Sequence, residues 1–445
     1  FIPIALSYSN SHSPSTSTTT PASTTQEEAD GLEAEDLAEI TLCEELKKLT
    51  TVDAEDARFF GQASSVMLAK HVADVRNEII GDSVAVRDPV KYRRAMYWKL
   101  SPWELPYVDD PETHYIYPEV DLLTSLVSLY FKKLASMFLV GTSMPYACWN
   151  LTAIGLRYGY EKGVHRRHGQ SHVPTVENEL LKRAFWALVC VDSFASSFVG
   201  RPCSMHETYV LVRPSETIFV IKPLYGRHDV EYPIECNDEY WETGDPTTTF
   251  QQPEGKPCSI TAFNYFIKLC EILGFALRTL YANKKSKILL GFIGADWEER
   301  MVAELDSSMN KWREDLPKYL QWDPERNDST FFHQSVNLHL SYYYVQIQIH
   351  RPYLTKKSSL TPLSLAMCNN SARACSHILE ASLARGTRVL PNAVSIAYIA
   401  GMVITLNLLG NRSVGQSYNP REDMENLQKC VDYLEAIEDR LAFDS

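Results

Sequence analysis

The chain has 445 residues, 45% of them hydrophobic, which is enough for one large core or two packed subdomains. Its 43 lysines and arginines are outnumbered by 56 acids, a formal charge of −13, so there is no cationic excess to release counterions from a phosphate backbone, and strong nucleic-acid binding by this chain alone is excluded. Ten cysteines occur with no C-x-x-C pair, several of them inside apolar runs, the pattern of buried thiols in a reducing compartment.

In chain order, the apolar opening Phe1 to Leu6 lacks the basic flank and the length of a signal-peptide core, and the chain reads as excised from a longer protein. Residues 9–30 are almost all Ser, Thr, Pro, Asn or acid, too poor in apolar surface to offset ordering entropy; residues 1–30 are therefore expected to be a disordered Ser/Thr/Pro linker. From residue 31 the composition changes. Leu37, Ile40, Leu46 and Leu49, then Ala57, Phe59, Phe60, Val66, Met67, Val72 and Val75, are spaced as in helices, so 31–445 is expected to fold.

Apolar-rich segments follow near 119–140, 145–163, 177–199, 259–281, 295–315, 330–350, 361–384, 392–409 and 422–441. No run of regular alternating strands appears, so the fold class is mainly α, a large multi-helix domain. Val345 to His350 alternates as a strand would, but its continuity with Leu338, Tyr342 and Val345 at helical spacing favours helix. Between the two helical halves, residues 213–257 hold six prolines and three glycines, which break helices. A long ordered loop is expected there, its Phe219, Tyr225, Tyr232, Tyr240 and Trp241 packed down on the helices. The uncharged run 391–411 is long enough for a membrane span, but Ser395, Gly401, Thr405 and Asn407 favour a buried core helix, and no membrane partner is expected.

Candidate chemistry is sparse. Leu181, Ala184, Phe185, Leu188 and Val189 line one helix face that also carries Asp192, whose partly buried carboxylate needs a cation or backbone donors; Arg201, just beyond the helix, is the first candidate. A catalytic acid there would need a second acid or base nearby. Glu179 and Arg183, four apart in the favourable order, read as a surface ion pair worth tenths of a kcal/mol. His165, His168 and His172 sit in a loop-like stretch without the H-E-x-x-H arrangement, and a solvated basic turn is the better reading than a metal site. Cys368 and Cys375 can share a helix face, but two sulfurs do not make a zinc site.

The phosphate-cradling glycine motifs and the hydrolase elbow are absent. The aromatic runs Tyr342 to Tyr344 and Phe331–Phe332 read as core before pocket. No catalytic, metal-ligating or DNA-contacting residue is therefore assigned, and ligand-binding residues stay unassigned. The competing reading is a mainly α enzyme or ligand-binding protein with an aromatic-lined pocket.

Several blocks, in order, form a signature. Residues 151–159, with Arg157, are followed by Gly163-Val164-His165-Arg166; then come Glu179, Arg183, Phe185, Trp186, Asp192 and Gly200-Arg201-Pro202. Farther on stand Asn237 to Trp241, Trp312 to Pro317, and His350-Arg351-Pro352-Tyr353-Leu354. Together they resemble the fungal-specific transcription factor domain, also called the xylanolytic-activator regulatory or middle homology region, over most of 35–445. The sequence departs from the family's pattern at Lys182, where arginine is commoner, and at Ala184, where a larger aliphatic is usual.

The resemblance implies a nuclear regulator of RNA polymerase II transcription. Its full-length form would hold two zinc ions on six cysteines in an N-terminal cluster that reads DNA as a monomer or dimer. Those cysteines are not in this chain, so zinc and DNA contact are expected only in the missing cluster, with residues 9–30 as the linker from it. The helical region would restrain or license activation by sensing a small-molecule inducer or a co-regulator, and exposed helix faces could form a homodimer. Independently of family, each proline pushes its predecessor out of helix, placing Arg201 and Arg351 at helix ends, where a guanidinium can satisfy last-turn carbonyls or a buried acid.

Overall fold

Apolar residues recurring every three to four positions form helices where the spacing predicts them. The computed structural model describes residues 61–80, 145–165, 174–204, 209–212, 220–223, 230–241, 249–282, 287, 296–354, 358–386, 391–410 and 420–443. The linker at 1–30, the stretch 119–140, His168 and His172 lie outside them. The helices are α1 (Ser65–Ile80), α2 (Pro145–Glu161), α3 (Val176–Val199), α4 (Ile260–Thr279), α5 (Trp297–Glu314), α6 (Ser329–His350), α7 (Thr361–Ala384), α8 (Pro391–Gly410) and α9 (Pro420–Phe443). The chain is mainly α.

Local chemistry sets the helix ends. Thr175 caps α3, its side chain accepting from the Asn178 amide at 3.3 Å, and Glu177 and Glu179 place negative charge on the first turn. The helix stops at Gly200, in the left-handed region at φ 70°, with the Arg201 amide donating back to the Ser196 carbonyl at 3.0 Å. Asp328 caps α6 by accepting from the Phe331 amide at 3.0 Å.

Helix α6 is the centre, packed by α4, α5, α7 and α8. Its residues from Tyr344 to His350 are all buried, so no polar face remains to mark the helical period, and the apparent strand alternation at 345–350 is a consequence of burial on every side. The aromatic runs are core, as expected: the Phe194 ring stacks between Phe266 and Tyr344 at 5.4 and 5.3 Å, and Trp312 stacks on Tyr342 at 5.5 Å. Helix α8 and helix α4 are both long and apolar enough to cross a membrane by length and composition, yet half or more of each is buried inside the protein. The Asn407 side chain of α8 donates to Asp423 at 2.6 Å and accepts from Asn369 at 2.7 Å, tying α8 to α9 and α7.

Between the helical halves the structure departs from a plain loop. Strands β1 (Tyr209–Val212) and β2 (Val220–Pro223) pair antiparallel, Tyr209 opposite Pro223 and Val212 opposite Val220. Val210, Leu211, Val212, Val220 and Ile221 favour extended backbone, and Pro223 is tolerated because it falls at the end of the pairing. Farther along, the irregular chain closes a small second core of Cys236, Trp241 and Phe250, with the two rings stacked at 5.5 Å. Trp241 is thus packed down, while Tyr232 stays exposed with its ring 5.4 Å from Trp186.

All nine described cysteines are buried and free of disulfides. Burial raises the thiol pKa of Cys148, Cys270 and Cys375, and pushes Cys430 up to about 12. The native chain at pH 7.5 should therefore give at most one fast equivalent with a thiol-specific chromogenic disulfide, Cys43 lying outside the described residues, and ten after guanidinium unfolding. Three or more fast native equivalents would contradict this burial.

Candidate functional site

Several of the signature residues assemble into two polar junctions. At the first, α3 presents Glu179, 1% exposed, beneath the irregular chain 230–241. One carboxylate oxygen accepts from Arg183 Nε at 3.1 Å and from the Ile234 amide at 2.9 Å; the other lies 3.0 Å from Lys182 Nζ. Arg183 also donates to Asp238 at 2.6 Å and to the Cys236 carbonyl at 3.1 Å, and its guanidinium lies 4.4 Å from the Trp241 ring centre. The surface pair expected from the four-residue spacing is instead a buried bracket, because the 230–241 segment covers that face and supplies an amide, a carbonyl and an indole. Phe185 is core, and Trp186 donates its indole N–H to the Glu231 carbonyl at 2.9 Å.

The second junction joins Gly200-Arg201-Pro202 with His350-Arg351-Pro352 at the segment leading into α1. The Gly61 amide donates to the Gly200 carbonyl at 3.1 Å, and Ser65 Oγ reaches the Phe198 carbonyl at 3.5 Å. Arg351, buried at the C-terminal end of α6, donates to the carbonyls of Gln62 at 3.1 Å, Ala63 at 2.9 Å and Ser64. It therefore serves carbonyls of a distant segment rather than those of its own last turn. Behind it, the Gln348 amide donates to Ser197 Oγ at 2.9 Å and to the Tyr344 hydroxyl at 2.8 Å, and Tyr281 donates to the Gln348 carbonyl at 2.8 Å. Burial raises the Tyr281 and Tyr344 pKa values, although the Ser197 and Gln348 bonds pull the latter back, so both phenols stay protonated donors.

Around Arg201 the chain turns past a buried carboxylate and an indole. Asp192, also 1% exposed, accepts from the Ser204 amide at 2.7 Å, the backbone-donor option for a buried carboxylate. The Arg201 guanidinium lies 5.0 Å from the Trp149 ring centre, and the Trp149 indole N–H is shared by Ser196 Oγ at 3.1 Å and the Pro202 carbonyl at 3.2 Å. Arg157 is exposed on α2, where Leu151, Ile154 and Tyr158 are exposed as well, and the His165 ring meets Tyr160 edge-on at 4.8 Å.

One constellation imitates a hydrolase. His350, fully buried, contacts Ser364 Oγ through Nδ1 at 3.1 Å and Asp306 through Nε2 at 3.0 Å. A working triad puts the acid on Nδ1 and the nucleophile on Nε2. Here the assignment is reversed and Ser364 is fully buried, so the group joins α5, α6 and α7 structurally. Among the described residues no group of three His, Cys, Asp or Glu side chains could hold a metal ion. Gln62, Ser64, Gln348, Tyr344 and Ser197 are junction residues that spacing does not single out; the one available signal is a pair of glutamines, Gln346 and Gln348, alternating with Val345, Ile347 and Ile349.

These features define a large α-helical domain whose signature residues are used for internal junctions. Residues 115–314 match the family model for the fungal specific transcription factor domain. A transcriptional regulatory protein of Schizosaccharomyces pombe is 24% identical over 65% of this chain and 36% of its own length. An ABC-transporter-regulating transcription factor of Aspergillus fumigatus is 24% identical over 71% of this chain and 34% of its own. Activator of stress genes 1 of Saccharomyces cerevisiae is 23% identical over 49% of this chain and 20% of its own. The chain thus spans between a fifth and two fifths of the length of these relatives. No solved structure matches.

Proposed function

We propose that these residues form the regulatory body of a fungal zinc-cluster transcription factor that acts in the nucleus on RNA polymerase II transcription. The reading rests above all on the family match over 115–314, supported by relatives named as transcriptional regulators. In it, the body works by binding, with a small-molecule inducer, a co-regulator or a second copy of the chain as partner, and performs no catalysis. The buried, reversed Ser364–His350–Asp306 group accords with that.

The donor set of this chain does not fit the family's zinc cluster. Its described cysteines are buried, Cys368 and Cys375 on α7 and the others spread along the chain from 148 to 430, and no three metal-binding side chains converge among the described residues. Two zinc ions need six thiolates held together, so zinc and DNA contact are assigned to a separate cluster in the whole protein. The net charge of −13 agrees.

The test fuses the 445 residues to an unrelated DNA-binding domain and measures a reporter carrying that domain's site. Output different from that of the DNA-binding domain alone, together with no band shift of duplex DNA by the isolated chain at 0.15 M salt, is the expected pair of results. Reporter output indistinguishable from the DNA-binding domain alone overturns the regulatory reading.

A further inference from the structure

The segment entering α1 is attached in an unusual way. Three successive carbonyls, of Gln62, Ala63 and Ser64, are served by one guanidinium, and the same segment lies against the bare Cα of Gly200. Beyond this polar attachment α1 packs along α8 and touches α3, with few fully buried apolar side chains among those described. Leu68 and Val72 are the buried apolar residues of α1, and no residue described from Ala73 to Ile79 is buried, with Asp74, Glu78 and Ile79 exposed. The C-terminal half of α6, Tyr344 to His350, is by contrast buried on all sides.

An element held by few apolar contacts and one concentrated polar fastening opens at lower cost than the core, and opens as a unit when the fastening goes. The fastening itself is rigidly backed. Arg351 Nη1 reaches Gln348 Oε1 at 3.4 Å, and Gln348 is fixed through Ser197, Tyr344 and Tyr281 to α3, α6 and the end of α4. The body therefore keeps its half of the joint in place whether or not the arm is seated. The residues before 61 are covalently continuous with this segment, so seating or releasing 61–80 moves the point at which they are joined to the described helices.

We propose that residues 61–80 are a releasable arm, latched to the body by Arg351 and Gly200, and that its docking and release couple the helical body to the chain that precedes it. The coupling role rests on the reading of this domain as a regulatory body, whereas the latch stands on the geometry alone.

Hydrogen–deuterium exchange on the full 445-residue chain tests the latch. In Arg351→Ala, amides at 66–72 should exchange at least about tenfold faster than in the parent chain, with those of α6 unchanged. Unchanged protection at 66–72 overturns the proposal, and so does equal loss throughout α6. Should Arg351→Ala fail to fold, the double variant Leu68→Ala, Val72→Ala unseats the arm from its apolar side: protection retained in α6 supports a separable arm, and collapse of α6 with α1 rejects it. Both variants then go into the reporter fusion. Faster arm exchange with reporter output equal to that of the unsubstituted fusion overturns the coupling step. A fusion that is silent in every form, with the exchange pattern as expected, removes the regulatory reading and leaves the latch standing.

Discussion

Gly200→Ala should lower the unfolding free energy by about 3 kcal/mol or more, among the largest losses expected from one added methyl group. Two costs add. At φ 70° an alanine meets the left-handed penalty of about 1–2 kcal/mol. A Cβ built there would also stand 2.4 Å from the Gly61 carbonyl oxygen, 2.8 Å from the Gly61 nitrogen and 2.8 Å from Ser64 Cβ. Two of those atoms are backbone and cannot rotate away, so the segment must withdraw, which also displaces the carbonyls that Arg351 serves. Gly255→Ala is the internal control: its φ is 77°, but nothing lies within 4 Å of the added carbon, so only the conformational cost of about 1–2 kcal/mol applies. Guanidinium denaturation of both variants measures the difference, and equal losses would mean that the close approach of 61–64 to Gly200 contributes nothing.

Glu179→Ala should cost about 3 kcal/mol, because removing one member of a buried ionic group leaves the others without compensation. Arg183, whose side chain is 14% exposed, would keep Asp238 as its one carboxylate partner, itself 70% exposed and weakened by water, and the Ile234 amide would lose its acceptor. Glu179→Gln retains an acceptor for Ile234 while losing the charge, so a smaller loss of about 1–2 kcal/mol is expected. An alanine loss of only a few tenths, the value of an exposed pair at this spacing, would return Glu179 to the surface role that its sequence context suggests.

The contrast between those two expectations for Glu179 marks what this sequence makes legible. Spacing along one helix shows that Glu179 and Arg183 can meet, and they do at 3.1 Å. It carries no information about Ile234, Cys236 and Trp241, which arrive from more than 50 residues away and turn a solvated pair into a buried one. The helices from α2 to α9 were legible because each shows apolar periodicity or a long apolar run bounded by proline, glycine or polar stretches; α7 spans 361–384, as its pattern predicts.

The β pair was hidden by its own brevity, four residues on each side set among prolines. Arg351 illustrates the same limit at longer range. Pro352 locates it at the end of α6, but its acceptors lie nearly 290 residues upstream in a segment with no distinguishing composition. For Asp192, burial follows from its face on α3, while the Ser204 amide reaches it only through the turn of the chain after Pro202.

The amide of Asn407 settles a degree of freedom that apolar packing leaves open. Helix α8 is apolar nearly all round, so the hydrophobic effect alone scarcely distinguishes one rotation about its axis from another. Asn407 resolves this by reaching both neighbours at once, and the neighbours are bound to each other through Arg373 to Asp423 at 2.7 Å and Ser376 to Asn426 at 3.0 Å. A turn of α8 in either direction would break both Asn407 bonds at a buried site. The least polar helix in the protein thus has its azimuth set by one of its few polar side chains.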